Sequence, residues 1–323
     1  MRFRARGRVA AASARRRLEL VNKVETAQIR GASGAFPRGA AGAGGGDGVS
    51  TGVDEGIRMA GNGITLVIVS TETYELGLQA VRNSVQAFDF DKVLILSDQA
   101  EAWGEFPVTK IDRFASGADY NKFMIAELYK YIETDYFLVI QYDGFVLRGD
   151  QFSPHFYHYD YIGAPWPFHA HLKVGNGGFS WRSRRFAEAG AKIFAASGAA
   201  ADEPIVEDYY LCRTHRILLE DKYGMHFASE GVAEHFSIES GTRHFPTFGF
   251  HGPWHLPKVY SDRLDWLLDN LPLRLLENAA LWPILADHMY NVSIDHHRKL
   301  TKIKKNVERS KTKGGALPWL AGW

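Results

Sequence analysis

Asp143 closes an apolar run, Tyr136-Phe137-Leu138-Val139-Ile140, after two intervening residues, Gln141 and Tyr142, and Gly144 follows it. A carboxylate fixed at the end of a buried strand can hold a metal or a nucleotide, because ligands gather outside the carboxyl ends of strands in open α/β sheets. An isolated Asp-Gly is more often a plain turn. Glu207-Asp208 supplies adjacent carboxylates suited to proton transfer. Its bland alternative is a helix start, where acids offset the macrodipole. Gly175-Asn176-Gly177-Gly178 places three glycines in four positions, so backbone can approach a ligand as side chains do not. Trp166 follows Pro165, and an aromatic plane at a cleft stacks on the apolar faces of sugars, although such a tryptophan is more often core.

Several elements must position these residues. Ile64–Ser70, Lys92–Asp98 and Tyr136–Tyr142 read as buried strands, each closing on polar residues. Helices are expected over about 74–88 and 120–132, the second with Tyr120, Met124, Leu128, Tyr131 and Ile132 on one face. Strand, helix, strand at this spacing is a βαβ unit with a parallel pair. Short strands are expected over 159–166 and 226–228, and helices over 183–197 and 209–219. Asp262–Tyr290 reads as a helix pair broken at Pro272. The whole is an α/β fold with a twisted, mainly parallel sheet flanked by helices and a helical C-terminal extension.

Composition bounds the function. The chain has 323 residues, 46% hydrophobic, with 38 basic and 37 acidic side chains, which argues against nucleic acid as the main partner. Its single cysteine, Cys212, excludes an intrachain disulfide framework and a Cys-based zinc site, and fits a reducing, cytoplasmic setting. No apolar run approaches the roughly 18 residues of a membrane span, so the chain reads as soluble, with no transmembrane segment. Residues 1–60 are rich in Arg, Gly and Ala and read as disordered. That start resembles a transit peptide or a nucleic-acid-binding arm; the reading preferred is a mistranslated leader ahead of a true start at Met59. A catalytic domain over 61–258, the extension over 259–300 and a basic, non-periodic tail over 301–323 complete the organisation.

Gln141-x-Asp143-Gly144, Tyr161-Ile-Gly-Ala-Pro-Trp166, Gly175-Asn-Gly-Gly-Phe-Ser180 with Arg182, Glu207-Asp208 and Phe250-His251-Gly252 occur in that order. Over about residues 64–256 they resemble the family known as domain of unknown function 5672, which is similar to GT-A-fold glycosyltransferases. The resemblance implies a nucleotide-sugar donor at the strand ends and a glycan or other hydroxyl acceptor. It implies Mn²⁺ or Mg²⁺ on Asp143 and His251, since a divalent cation neutralises a diphosphate leaving group. His251 is one of 13 histidines, and its plain reading is a loop residue beside glycine. Gln141 stands where such enzymes usually carry the first Asp of Asp-x-Asp, which removes a charge and puts metal dependence in question. By the same resemblance Asp208 is the base of an inverting transfer, with Glu207 holding or orienting the acceptor. Gly144, Trp166, Asn176, Gly177, Gly178 and Ser180 are assigned to donor and acceptor with Gln141. Thr71 is expected near the nucleotide base, and Asn121 and Lys122 near ribose or phosphate.

Two other classes compete. A GT-A-like domain that binds a nucleotide-sugar or glycan without turnover would tolerate Gln141. A metal-dependent hydrolase would gather more carboxylates and histidines than are assigned here. P-loop and zincin motifs are absent from the sequence.

Overall fold

The computed structural model describes residues 63–198, 205–240 and 246–312. The readings made for residues 1–60, for Met59 and for the end of the basic tail lie outside them. One sheet holds β1 (Ile64–Val69), β2 (Lys92–Ser97), β3 (Val108–Lys110), β4 (Tyr136–Ile140), β5 (Tyr161–Gly163) and β6 (Ser180–Ser183), in spatial order β3-β2-β1-β4-β6-β5. β1 runs parallel to β2 and to β4, with Thr65 opposite Lys92 and Ile64 opposite Tyr136. β6 is antiparallel to both β4 and β5. The sheet is therefore mainly parallel, and helices flank it.

Alternation along β1 explains its burial on both faces. Ile64, Leu66 and Ile68 pack with Leu76 and Ala80 of α1 (Tyr74–Ala87), whereas Val67 and Val69 pack with Met124 of α2 (Gly117–Ala126) and with Leu128 beyond its end. The second helix differs from the expected 120–132. Ser116 caps it by accepting from the Asp119 amide at 3.2 Å, and it gives way at Glu127 to a 3₁₀ turn, Leu128–Tyr131. α3 (Arg184–Ser197) starts where predicted, because the Ser183 hydroxyl accepts from the Phe186 amide. Residues 226–228 form no strand of the sheet: Phe227 makes one isolated bridge, to Tyr161. The expected 159–166 strand shortens to β5 because Pro165 offers no N–H and bridges Val174 instead.

Downstream, α4 (Glu207–Tyr209) runs into a π-turn, Tyr210–Thr214, before α5 (Arg216–Tyr223). α6 (Glu230–Phe236) leads into a small parallel pair, β7 (Ser237–Ile238) with β8 (Gly249–Phe250). The C-terminal part is not one helix pair but a series: α7 (Leu256–Val259), α8 (Leu264–Asn270), α9 (Leu273–Glu277), α10 (Leu281–Val292) and α11 (Ile294–Thr312). Asn278 adds a break that Pro272 alone did not predict, its side chain accepting from the Ala280 and Leu281 amides. Ser293 adds another, capping the His296 amide. α11 runs on past residue 300, so the start of the basic tail is helical. Leu264, Leu267, Leu276, Leu285, Met289 and Leu300 share one apolar cluster with Ile64, Leu66 and Ile68. The core thus continues across the 258/259 boundary. Among the described residues no helix is long and apolar enough to cross a membrane.

Candidate active site

Beyond β4 the chain reverses tightly: the Gln141 amide donates to the Gly144 carbonyl at 2.8 Å and the Gly144 amide returns to Gln141 at 3.1 Å. This turn buries Asp143, 6% exposed. The β7–β8 pair brings the late loop to it, since the His251 amide donates to the Ile238 carbonyl and the Gly252 amide to the Asp143 carbonyl, both at 2.8 Å. His251 Nε2 consequently lies 3.9 Å from Asp143 Oδ1 and 3.3 Å from Gln141 Oε1. Gln141 cannot turn that oxygen away, because its Nε2 donates to the Tyr120 hydroxyl at 2.8 Å. On the other side of the ring, Nδ1 lies 3.1 Å from Glu239 Oε1 and 2.8 Å from Asn176 Nδ2. Burial pushes the Asp143 carboxyl up, and the nearby imidazole pulls it back. Burial alone would push His251 down; Asp143 and Glu239 overcome this and raise it to about 9.

The acidic pair divides its duties. Glu207 is buried and spends both oxygens on Arg182, from Nη1 at 2.5 Å and from Nη2 at 3.3 Å. It does not reach out to orient an acceptor, as the sequence led us to expect. Asp208 is half-buried, and its Oδ2 accepts from the Gly177 amide at 3.0 Å and its Oδ1 from the Tyr209 amide at 2.7 Å. Each oxygen keeps a second lone pair for a further donor. Burial, then the Glu207 charge, raises the Asp208 carboxyl to about 6.

The glycine loop joins the two groups. A Cβ on Gly177 would stand 2.5 Å from Glu207 Oε2, and one on Gly178 would stand 2.1 Å from His251 Nε2 and 2.6 Å from Gln141 Oε1. Adjacent residues therefore touch the acids and the imidazole in turn, which only backbone without side chains allows. Ser180 supports the loop, its hydroxyl donating to the Gly177 carbonyl at 2.9 Å and accepting from Arg182. Asn176 sits at φ 39° and holds Glu239 at 2.9 Å.

Other expected residues stand further from the chemistry. Trp166 is 7% exposed and its six-membered ring lies against Gly175, where a Cβ would come within 2.0 Å, so backbone covers that face. Asn121 is committed to the fold, accepting from the Glu207 amide at 3.1 Å and donating to the Gly117 carbonyl at 2.9 Å. Lys122 is half-buried on the same helix. Thr71 is buried just beyond β1, its carbonyl taking the Tyr74 hydroxyl at 2.7 Å. Sequence reading missed Tyr120, assigned to an apolar face, and Glu239, which belongs to no motif. Arg182 was noticed as pattern but given no role. An Arg spaced 25 residues from an acid carries no local signal of pairing.

Asp143 Oδ1 and Glu239 Oε2 are buried without a hydrogen-bond partner, an expensive state for a carboxylate oxygen. For Asp143 the position facing His251 Nε2 suits a cation of ligand distance near 2.0–2.6 Å. Among the described residues no group of three or more His, Cys, Asp or Glu could hold a metal. The Asp143–His251 pair fits one as a partial set, with Gln141 Oε1 as a neutral oxygen beside it.

Residues 105–251 match the family described as Protein of unknown function (DUF5672), the family that the motifs resemble. The matched stretch carries Asp143, the glycine loop, Glu207-Asp208 and His251. No curated protein matches the chain. Among solved structures, the apo glycosyltransferase GlyE of Streptococcus pneumoniae TIGR4 is similar at 12% identity and TM-score 0.38, covering 65% of this chain. This chain spans about half of that one, 51%. A second GlyE structure has TM-score 0.37 at 11% identity, over 65% of this chain and 52% of that one. The mannosyltransferase PcManGT of Pyrobaculum calidifontis, in complex with GDP-Man and Mn²⁺, has TM-score 0.35 at 12% identity, over 82% and 81% of the two chains.

Proposed function

We propose that this protein is a glycosyltransferase that moves a sugar from a nucleotide-sugar donor to an acceptor hydroxyl with inversion. The observation carrying that reading is the Gly177-Gly178 step, which sets a carboxylate pair against the Asp143–His251 pair with no side chain between them. Asp208 takes the proton of the acceptor hydroxyl as its oxygen attacks the anomeric carbon. The bond from that carbon to the diphosphate breaks, and the diphosphate leaves with the electron pair. A carboxyl raised to about 6 suits a base near neutral pH. Glu207 fixes Arg182, and through it the loop carbonyl of Gly177, so the base keeps its orientation. Asp143 and His251 would hold Mn²⁺ or Mg²⁺, which supplies positive charge beside the departing diphosphate. Glu239 orients the His251 ring, as carboxylates commonly orient ligating imidazoles.

A binding domain without turnover is the second reading, favoured by the engagement of both Asp208 oxygens with backbone amides. A thermal-shift screen of nucleotide-sugars with and without Mn²⁺ tests the donor half. A ligand held at 100 times its Kd stabilises by about 2.7 kcal/mol, a readily measured rise in Tm. One nucleotide-sugar should give that rise with Mn²⁺ and lose most of it in His251→Ala. Because flanking carboxylates favour the imidazolium, the cation must displace a proton, so the metal-dependent rise should be larger at pH 8 than at pH 6.5. A flat screen across donors and metals would remove the reading.

A further inference from the structure

We propose that Arg274, carried by α9, grips the diphosphate of a nucleotide bound at the carboxyl ends of β1 and β4, and that Glu72 holds it there beforehand. This deepens the reading above and rests on it. β1 and β4 are parallel neighbours with Ile68 opposite Ile140, so Glu72 and the Tyr142-Asp143 pair leave the sheet at one edge. Arg274 bridges them. Its Nη1 pairs with Glu72, and its charge acts on the Tyr142 phenol and the Asp143 carboxylate.

Charge balance says why a cation belongs there. Asp143, Asp208 and Glu239 crowd the site with carboxylates, and a diphosphate brings more negative charge. Arg182 is 2% exposed at its side chain and locked to Glu207. The Arg274 side chain is 42% exposed, and Glu72 holds its guanidinium fork at the same strand edge. That fork matches phosphate oxygens in pairs, as a point charge does not. Glu72, with its side chain 25% exposed, fixes the long arginine side chain and so lowers the entropy lost when a ligand is gripped. The family match ends at residue 251, so the C-terminal helices would add a contact that the matched stretch lacks.

The rival account is a structural tie between α9 and the turn after β1. Calorimetric titration of the full chain with UDP, GDP, ADP and dTDP, with Mn²⁺ and at low and high salt, separates the two. Arg274→Ala should weaken the best-bound nucleotide by about 10- to 100-fold, the worth of charge-assisted hydrogen bonds. It should also flatten the salt dependence. Arg274→Lys should fall between, keeping charge but not the fork. Glu72→Gln removes the same ion pair yet should leave affinity within a few-fold of the parent. If Glu72→Gln loses as much affinity as Arg274→Ala, or if Arg274→Ala and Arg274→Lys bind like the parent, the inference is overturned while the donor reading stands. A parent chain that binds none of the nucleotides overturns both.

Discussion

Asp208 concentrates the question of catalysis in one side chain. Asp208→Asn keeps the size and one acceptor but cannot take a proton, so kcat should fall by roughly 10²-fold or more with donor affinity nearly constant. Steady-state kinetics beside a melting curve separates this from a helix-start role, which predicts about 1 kcal/mol of lost stability and intact turnover. The parent's kcat should rise with pH through about 6, because the base acts ionised. Stability carries the opposite sign. The folded carboxyl holds its proton above the usual 3.8, so this group's favourable contribution is present below pH 4 and is lost as pH rises through about 6. At this scale the legible residues were those with neighbours to announce them: Asp143 at a strand end, Glu207-Asp208 as a pair, His251 between Phe250 and Gly252. Tyr120 was illegible because its hydroxyl matters only through Gln141, 21 residues away, while its ring reads as core.

Among the elements, the long buried strands were read well, and the short strands and helix ends poorly. Buried runs such as Ile64–Val69 have no other satisfactory fate, whereas α2, α9 and α10 stop where a cap or a 3₁₀ turn competes with continued helix. Asn278 accepts from the amides that open α10 and Ser293 caps α11, and reading both as helix-start residues would have recovered both missed breaks. The glycine loop was legible as a close approach, though not what it approaches. Gly178→Ala tests its geometry, since a methyl 2.1 Å from His251 Nε2 must displace the imidazole. Mn²⁺-dependent stabilisation by the nucleotide-sugar should vanish while the circular dichroism spectrum is preserved. Retained metal-dependent binding would mean that the loop yields and that the close approach is incidental.

The whole molecule is less divisible than its sequence. A boundary near residue 258 is natural where motifs end, but burial is a long-range property that motifs do not report. Leu264, Leu267, Leu276, Leu285 and Leu300 pack into the cluster beneath β1, each worth about 1.5–3 kcal/mol when fully buried. Their sum is comparable with the roughly 5–15 kcal/mol that separates folded from unfolded domains. A chain ending at residue 258 should therefore show no cooperative thermal transition by calorimetry. A sharp transition in that truncation would mark the C-terminal helices as an accessory layer.

Gln141 and His251 meet across 110 residues of chain. Closing so long a loop costs about 2 kcal/mol more entropy than closing one of 10 residues, a cost met only when the intervening elements are already in place. The Asp143–His251 cluster is therefore a late event in folding. β1 and α1 can associate while the ribosome is still making the turn that carries Asp143, but the imidazole arrives only after α6 and the β7–β8 pair. A nascent or arrested chain would carry buried strands and an unopposed carboxylate long before the imidazole reaches it, so binding of the proposed nucleotide-sugar would serve as a clock for the last stage of assembly.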